Sequence, residues 1–401
     1  MTADLPRHPV RHVRNAYVDR ARPPGAAERA IMDLAAFERA HREIASWPGY
    51  APTPLVALPG LARRLGLGAV MVKDEGRRFH LESFTALGGA YAVKRLIEER
   101  LAASASAADL RDGRWRAATQ NLVFATATDG NHGRSVAWGA RMFGARSVVF
   151  IHENVSAERE AAIAAFGAEM RRVPGDYDNS VRIAAEEAAK NGWIIVADSS
   201  VGIDAHAPSL VMQGYGVTMA EIDAVEPAPT HVFVPAGVGG LAAAVAAHLW
   251  EAKGAESPRL VVVEPIRADC VFRSIAAGEI AAPLAESDTF MACLAAGEVS
   301  PAAWPFLRAA VDDVLALPDA AAADAMRLLA AGRDGDPPIV AGESGAATTA
   351  ALVAASQDAD VRAALGLGPA SRVVLFSTEG ATDPAVWRET VGRAPPPVQA
   401  P

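Results

Sequence analysis

Short apolar runs alternate with helical patterns along most of this chain. Eight runs are rich in Val and Ile and nearly continuous in apolarity, as strands buried on both faces are. They predict strands at 69–72, 122–125, 147–151, 169–173, 193–196, 231–235, 260–264 and 372–376. The stretches between them predict helices over 86–101, 132–143, 178–190, 239–253 and 320–331. Asn191-Gly192 reads as a helix stop. Such β-α-β alternation predicts an α/β protein with two open, mainly parallel sheets. The expected organisation is an N-terminal arm over 1–45, a large domain over 46–87 and 216–401, and a small domain over 88–215. A cleft between the domains would be lined by loops at the C-terminal ends of strands. Residues 102–115 are small, polar and Arg-rich, and read as a surface insertion.

Composition narrows the function classes. A chain of 401 residues with 51% hydrophobic content can bury a large core. The net charge of −9 disfavours a nucleic-acid or anionic-membrane surface. No apolar run is long enough for a membrane span. The polar N-terminus does not read as a signal peptide. Cys270 and Cys293 are too few for a disulfide framework and fit a reducing, cytoplasmic setting. No Cys/His cluster has metal-ligand spacing, so no metal is expected.

Four segments carry candidate chemistry. The first is Glu82-Ser83-Phe84-Thr85-Ala86-Leu87-Gly88-Gly89-Ala90-Tyr91, preceded by His80-Leu81. By itself it could be an ordinary helix start with Thr85 near the N-cap. The second is Asp129-Gly130-Asn131-His132-Gly133-Arg134, between a strand and a helix, where backbone N–H groups gather beside a ligand. Plain turn chemistry is the alternative. The third is Ala236-Gly237-Val238-Gly239-Gly240, a Gly-rich loop opening a helix, which can cup a phosphate. It lacks the Lys-Ser/Thr of a nucleotide P-loop and the dinucleotide spacing. The fourth runs from Asp198 to Met212-Gln213-Gly214-Tyr215.

Together with Phe376-Ser377-Thr378-Glu379-Gly380, these segments resemble the fold-type-II pyridoxal-phosphate (PLP) enzymes of the tryptophan synthase β type, most of all the diaminopropionate ammonia-lyases. The resemblance covers about 52–383. It implies PLP as cofactor, a small amino-acid-like substrate and a homodimer. It implies that Phe84 packs under the cofactor, Asn131 bonds its ring hydroxyl, residues 236–240 hold its phosphate, and Ser377 or Thr378 bonds its pyridine nitrogen. It further implies that Asp129 is a general base at the substrate Cα and that Asp198 serves the opposite enantiomer. A carboxylate in a dry site can be tuned for that work.

The chain departs from the family where the chemistry usually turns. The family has Lys after Ser-Phe or Ala-Phe, and here the residue is Thr85. A hydroxyl cannot form an imine, so any PLP would be held without a covalent bond. The lysines are only Lys73, Lys94, Lys190 and Lys253, and none is an obvious substitute. His80 and Glu82 also depart, from a Gly-Leu-Asn pattern, and a single deliberate substitution would not alter them. Natural divergence is therefore the reading. In the Asp198–Tyr215 segment, Val201, Asp204 and His206 replace the family's aromatic and Lys positions, which points to a changed substrate. The functional expectation is a lyase-like protein acting by Cα-proton loss and β-elimination, impaired or altered by Thr85. The alternatives are a PLP-independent enzyme using Asp and His groups, and a non-catalytic ligand-binding protein.

Overall fold

The computed structural model describes residues 5–101, 106–128, 130–175, 177–200, 202, 204–223 and 225–397. Among the described residues, eleven strands form two sheets. They are β1 (Arg11–Arg14), β2 (Leu55–Ala57), β3 (Ala69–Asp74), β4 (Val123–Ala127), β5 (Arg146–His152), β6 (Glu169–Val173), β7 (Ile194–Ile195), β8 (His231–Pro235), β9 (Arg259–Pro265), β10 (Asp313–Leu317) and β11 (Arg372–Ser377). The larger sheet has the order β1-β10-β9-β8-β11-β3-β2, and the smaller β6-β5-β4-β7. Every pairing is parallel except at the two outer edges of the larger sheet, where β1 and β2 run antiparallel. The eight predicted strands are all present.

Three strands lie outside the prediction. β1 and β2 are sheet edges with half-exposed residues, so neither carries a continuous apolar run. β10 is fully buried and does carry one, squeezed between helices. Residues expected to form an arm add β1 to the larger sheet, and helix Leu34–Ala45 buries Phe37, Ala40 and Ile44 in the main core. The expected surface insertion contains a short helix, Ala107–Arg111, that buries Ala107 and Leu110. Residues 102–105 of it lie outside the described residues.

Register sets the cleft. Ser377 at the end of β11 pairs with Asp74 at the end of β3, and Pro235 at the end of β8 pairs with Val263. The C-terminal ends of the central strands β3, β11 and β8 therefore open together on one side of the sheet. Helix Gly240–Lys253 leaves β8 there and is buried on nearly every side. Its run of Ala, Leu and Val suits a helix sandwiched between a sheet and other helices.

Close helix packing brings the two sheets' loops together. Helices Thr85–Leu101 and Asn131–Met142 cross at Gly89 and Gly139. A Cβ on Gly89 would stand 2.5 Å from Ser135 Oγ, and one on Gly139 2.6 Å from Ala90 Cα. The Ser135 hydroxyl accepts the Ala90 N–H at 3.1 Å in that gap. Glycine is needed at both positions for the backbones to approach this closely. Thr85 and Asn131, at the starts of these helices, are thereby made neighbours.

Candidate active site

Thr85 begins helix Thr85–Leu101. Its Oγ1 donates to the Asn131 carbonyl at 3.1 Å and lies 3.0 Å from Ser83 Oγ. Ser83 forms an isolated antiparallel bridge with Glu379, and the Phe84 N–H donates to the Thr378 carbonyl at 3.1 Å. The Ser83–Thr85 segment thus runs beside the end of β11. The turn before it is strained: Phe79, His80 and Glu82 have φ of 48°, 58° and 53°. Left-handed backbone costs non-glycine residues of order 1–3 kcal/mol each and persists only where the surroundings enforce it.

A buried charge network enforces it. Arg78 donates to Glu75 at 2.9 and 2.8 Å and to Glu221 at 2.7 and 2.8 Å. Lys73 joins Glu221 at 2.5 Å and donates to the Thr53 carbonyl at 2.8 Å. Burial alone would raise the Glu221 carboxyl. The hydrogen bonds and charges of Arg78 and Lys73 outweigh it and hold the group down at about 2.

The Gly-rich loop faces the same cleft. Gly239 has φ 96° and caps helix Gly240–Lys253 with no side-chain cap. The first-turn N–H groups there have no intrahelical acceptors and carry the positive end of the helix dipole. Ala236 is tied to β9 by its N–H to the Val263 carbonyl, and the Val238 carbonyl accepts from the Ser300 N–H. A Cβ on Gly237 would meet the Cys293 carbonyl at 3.2 Å, so the loop passes close to that wall. Gly240 lies near Tyr215 and the Asp198 carbonyl. The Tyr215 ring packs on Phe84 with centroids 4.7 Å apart, and its hydroxyl is pushed well up by burial and by the Asp198 charge.

At the end of β11 a buried hydroxyl lacks a partner. Ser377 Oγ is fully enclosed and makes no hydrogen bond. Buried hydroxyls are normally satisfied, so an unpaired one at a strand's C-terminal end is a ligand-binding signal. Thr378 is buried beside it.

Across the cleft, Asn131 Nδ2 donates to Glu379 Oε2 at 2.6 Å. The same carboxylate accepts from Thr382 Oγ1 at 3.0 Å, the Cys293 thiol at 3.4 Å and the Ser344 N–H at 3.1 Å. Arg159 adds an ion pair to Glu343 at 2.7 Å, and Arg134 Nη1 donates to the Leu81 carbonyl at 3.0 Å. Burial and the nearby Glu379 push the Glu343 carboxyl up to about 8, against the opposing pull of Arg159. Glu379 lies in the Phe376–Gly380 segment without a role assigned from sequence, and Glu343 was not singled out. Their signal was a Glu placed just after a buried strand end or in a Gly-rich turn. Cys293 and Arg159 carried none.

The structure therefore gathers Thr85, Phe84, Asn131, Asp198, residues 236–240, Ser377 and Thr378 around one cleft. Asp129 lies outside the described residues, as does Val201. Glu82 is partly buried beside Gly380, with its carboxyl raised by burial against the pull of Arg134. His80 is exposed. Asp204 and His206 sit elsewhere: Asp204 accepts the His206 N–H at 2.5 Å, and His206 Nε2 pairs with Glu99 at 2.8 Å. Glu99 is about 21 Å along the helix from Thr85, at 1.5 Å per residue. The pairing with Glu99 holds that loop at the outer end of the helix, away from the predicted substrate position. No lysine reaches the cleft: Lys73 is locked to Glu221, Lys94 to Glu43 and Glu98, and Lys190 lies beside Glu187. Lys253 ends the helix that starts at Gly240, 13 residues away. Among the described residues no group of three or more His, Cys, Asp or Glu is arranged to hold a metal. None of their helices is long and apolar enough to cross a membrane.

Residues 46–379 match the family model described as pyridoxal-phosphate dependent enzyme. The chain belongs to this family. Diaminopropionate ammonia-lyase of Escherichia coli K12 is 37% identical to this PLP-family chain over 360 residues, covering 88% of it and 89% of the relative. The Salmonella typhimurium enzyme of the same name is also 37% identical, over 86% and 89%. The crystal structure of the Escherichia coli enzyme in complex with D-serine superposes with a TM-score of 0.88 at 33% identity, covering 97% and 98% of the two chains. Maize serine racemase, with a TM-score of 0.72 at 21% identity, shares the fold.

Proposed function

We propose that this chain is a diaminopropionate ammonia-lyase-like protein that holds PLP without a covalent bond, with Thr85 in place of the attachment lysine and turnover impaired. The observation that carries the reading is Ser377 Oγ, enclosed and unpartnered at the end of β11. The residues present fit the cofactor in everything but the amine. The amides at Gly239 and Gly240 offer donors and positive potential to a phosphate. Ser377 offers a hydroxyl to the pyridine nitrogen, with Thr378 next to it. Asn131 offers its amide to the ring hydroxyl, and Glu379 holds that amide in place. Phe84, braced by Tyr215, gives the ring an apolar surface.

When bound, PLP supplies an electron sink for a carbanion at the substrate Cα. Asp198 is the described acid/base group for proton transfer at that carbon, and Asp129 is the second by the family pattern. The substrate class is a small amino acid with a leaving group at Cβ. Thr85 can orient a group by hydrogen bonding but cannot take the cofactor back after a reaction, so product release has no amine to drive it. A homodimer and a cytoplasmic setting accompany this reading. Thr85 also favours a second one, a non-catalytic ligand-binding protein, because its one hydroxyl proton is donated to the Asn131 carbonyl.

The test is PLP binding followed by borohydride reduction and peptide mapping, with release of pyruvate and ammonia from diaminopropionate measured in parallel. The expected result is dialysable PLP, no phosphopyridoxyl lysine and slow or no product. A labelled lysine, Lys73 and Lys94 included, would overturn the non-covalent assignment. Failure to bind PLP would favour the second reading.

A further inference from the structure

Away from the cleft, the outer face of the larger sheet's helical layer holds a cavity of about 220 Å³. It lies between the N-terminal segment and helices Pro59–Leu65, Asp319–Ala331 and Ala347–Gln357. Leu5, Leu328, Ala350 and Val353 give it an apolar wall. Its rim is basic. Arg327 and His8 both pair with Asp324, at 2.7 and 2.8 Å. Arg64 pairs with Asp334 at 3.3 Å. Asp336 accepts the N–H groups of Gly60 and Leu61 at the start of helix Pro59–Leu65, at 2.6 and 2.8 Å. Arg333 also lines the cavity, and no carboxylate pairs with it among the described residues.

We propose that this cavity binds a small aliphatic carboxylate, with the tail on the Leu5–Val353 wall and the carboxylate on Arg333, and that occupancy is felt in the cleft. Sites for small molecules combine an apolar lining with a few placed polar groups, and a guanidinium fork suits a carboxylate. The route to the cleft is one helix. Ala347–Gln357 carries Ala350 and Val353 at the cavity. Its Thr348 hydroxyl donates to the Phe376 carbonyl of β11 at 3.0 Å. The loop just before it presents Ser344, whose N–H bonds Glu379 and whose Oγ accepts the Cys293 N–H at 3.1 Å. A ligand pressing on this helix acts on an element packed against both places. The proposal does not rest on the lyase reading.

Valerate is the probe, with pentanol and pentylamine as uncharged and cationic isosteres. Calorimetry on the full chain reads binding. The rate of Cys293 modification by a thiol reagent reads the cleft, since Cys293 is exposed and Cys270 buried. Saturable valerate binding is expected, about two- to fivefold tighter than pentanol, as one exposed ion-pair contact implies. Arg333→Gln, at an exposed position, should remove that preference, and Val353→Phe should block both ligands by filling the cavity. Valerate should change the Cys293 labelling rate about fivefold or more, the low end of usual coupling. Equal binding of valerate and pentanol, or retention of the preference in Arg333→Gln, would overturn the site. An unchanged labelling rate at saturating valerate would overturn its link to the cleft. If Val353→Phe does not fold, Arg333→Gln decides alone.

Discussion

Replacing Arg78 with Met removes the guanidinium that holds the strained turn before Thr85. Arg78 is 1% exposed and bonds both carboxylates of Glu75 and Glu221, the Thr53 hydroxyl at 3.2 Å and the Ala51 carbonyl at 3.4 Å. Met fills much of the same volume, so the loss is electrostatic. Glu221 keeps Lys73 as a counter-charge. Glu75 keeps only the Thr53 hydroxyl at 2.6 Å and becomes a buried charge without a cation. Stranding one partner of a buried pair costs about 3–5 kcal/mol. Arg78→Lys retains the charge but not the fork and should lose less. The loss also depends on pH, with a definite sign. Glu221 has a folded value of about 2, below its ordinary 4.5. The stability it contributes is therefore complete above pH 4.5 and is lost as pH falls from 4.5 towards 2. Arg78→Met removes most of that depression. The gap between the two proteins should be widest near neutrality and narrow below pH 4.5. Urea unfolding across pH 3–7 measures it. A gap under about 1 kcal/mol at pH 7, or one that does not narrow on acidification, would refute the network's assigned role.

Further predictions concern the cleft itself. Thr85→Lys should create covalent PLP attachment, seen as a visible band and a borohydride-fixed lysine, yet diaminopropionate cleavage should stay on the order of 100-fold below that of a well-placed site, because His80 and Glu82 in the strained turn before position 85 depart from the lyase pattern. Full turnover would make Thr85 the only lesion. Gly239→Asp should abolish PLP or phosphate binding by placing a carboxylate at the helix start, with the fold checked by circular dichroism; unchanged binding in the folded variant would remove the phosphate assignment. Gly89→Val should push the helices apart at Ser135 and lower stability by about 1–3 kcal/mol, measured by urea unfolding, the usual cost of overpacking.

The strands of the core were legible because burial on both faces imposes a continuous apolar run, as in His231–Pro235 with all five residues buried. The helix starts at Thr85, Asn131 and Gly240 were legible within a residue, because small or turn-forming residues mark them. The absence of an amine at position 85 was also a property of the sequence alone. Edge strands such as Arg11–Arg14 were not legible, since an edge is defined by what it pairs with rather than by its own pattern. Nor was the cluster at Glu379. Asn131, Cys293, Ser344 and Thr382 reach that carboxylate from four places in the chain, and only the crossing of glycine-lined helices and the alignment of strand ends brings them together. The His206–Glu99 pairing is of the same kind: the sequence placed His206 in a segment that departs from the family pattern, and tertiary contact put its ring at the outer end of a helix, where a neighbouring carboxylate holds it. Local patterns record what a residue needs from solvent and backbone, whereas a site is made by distances between segments that no local pattern encodes.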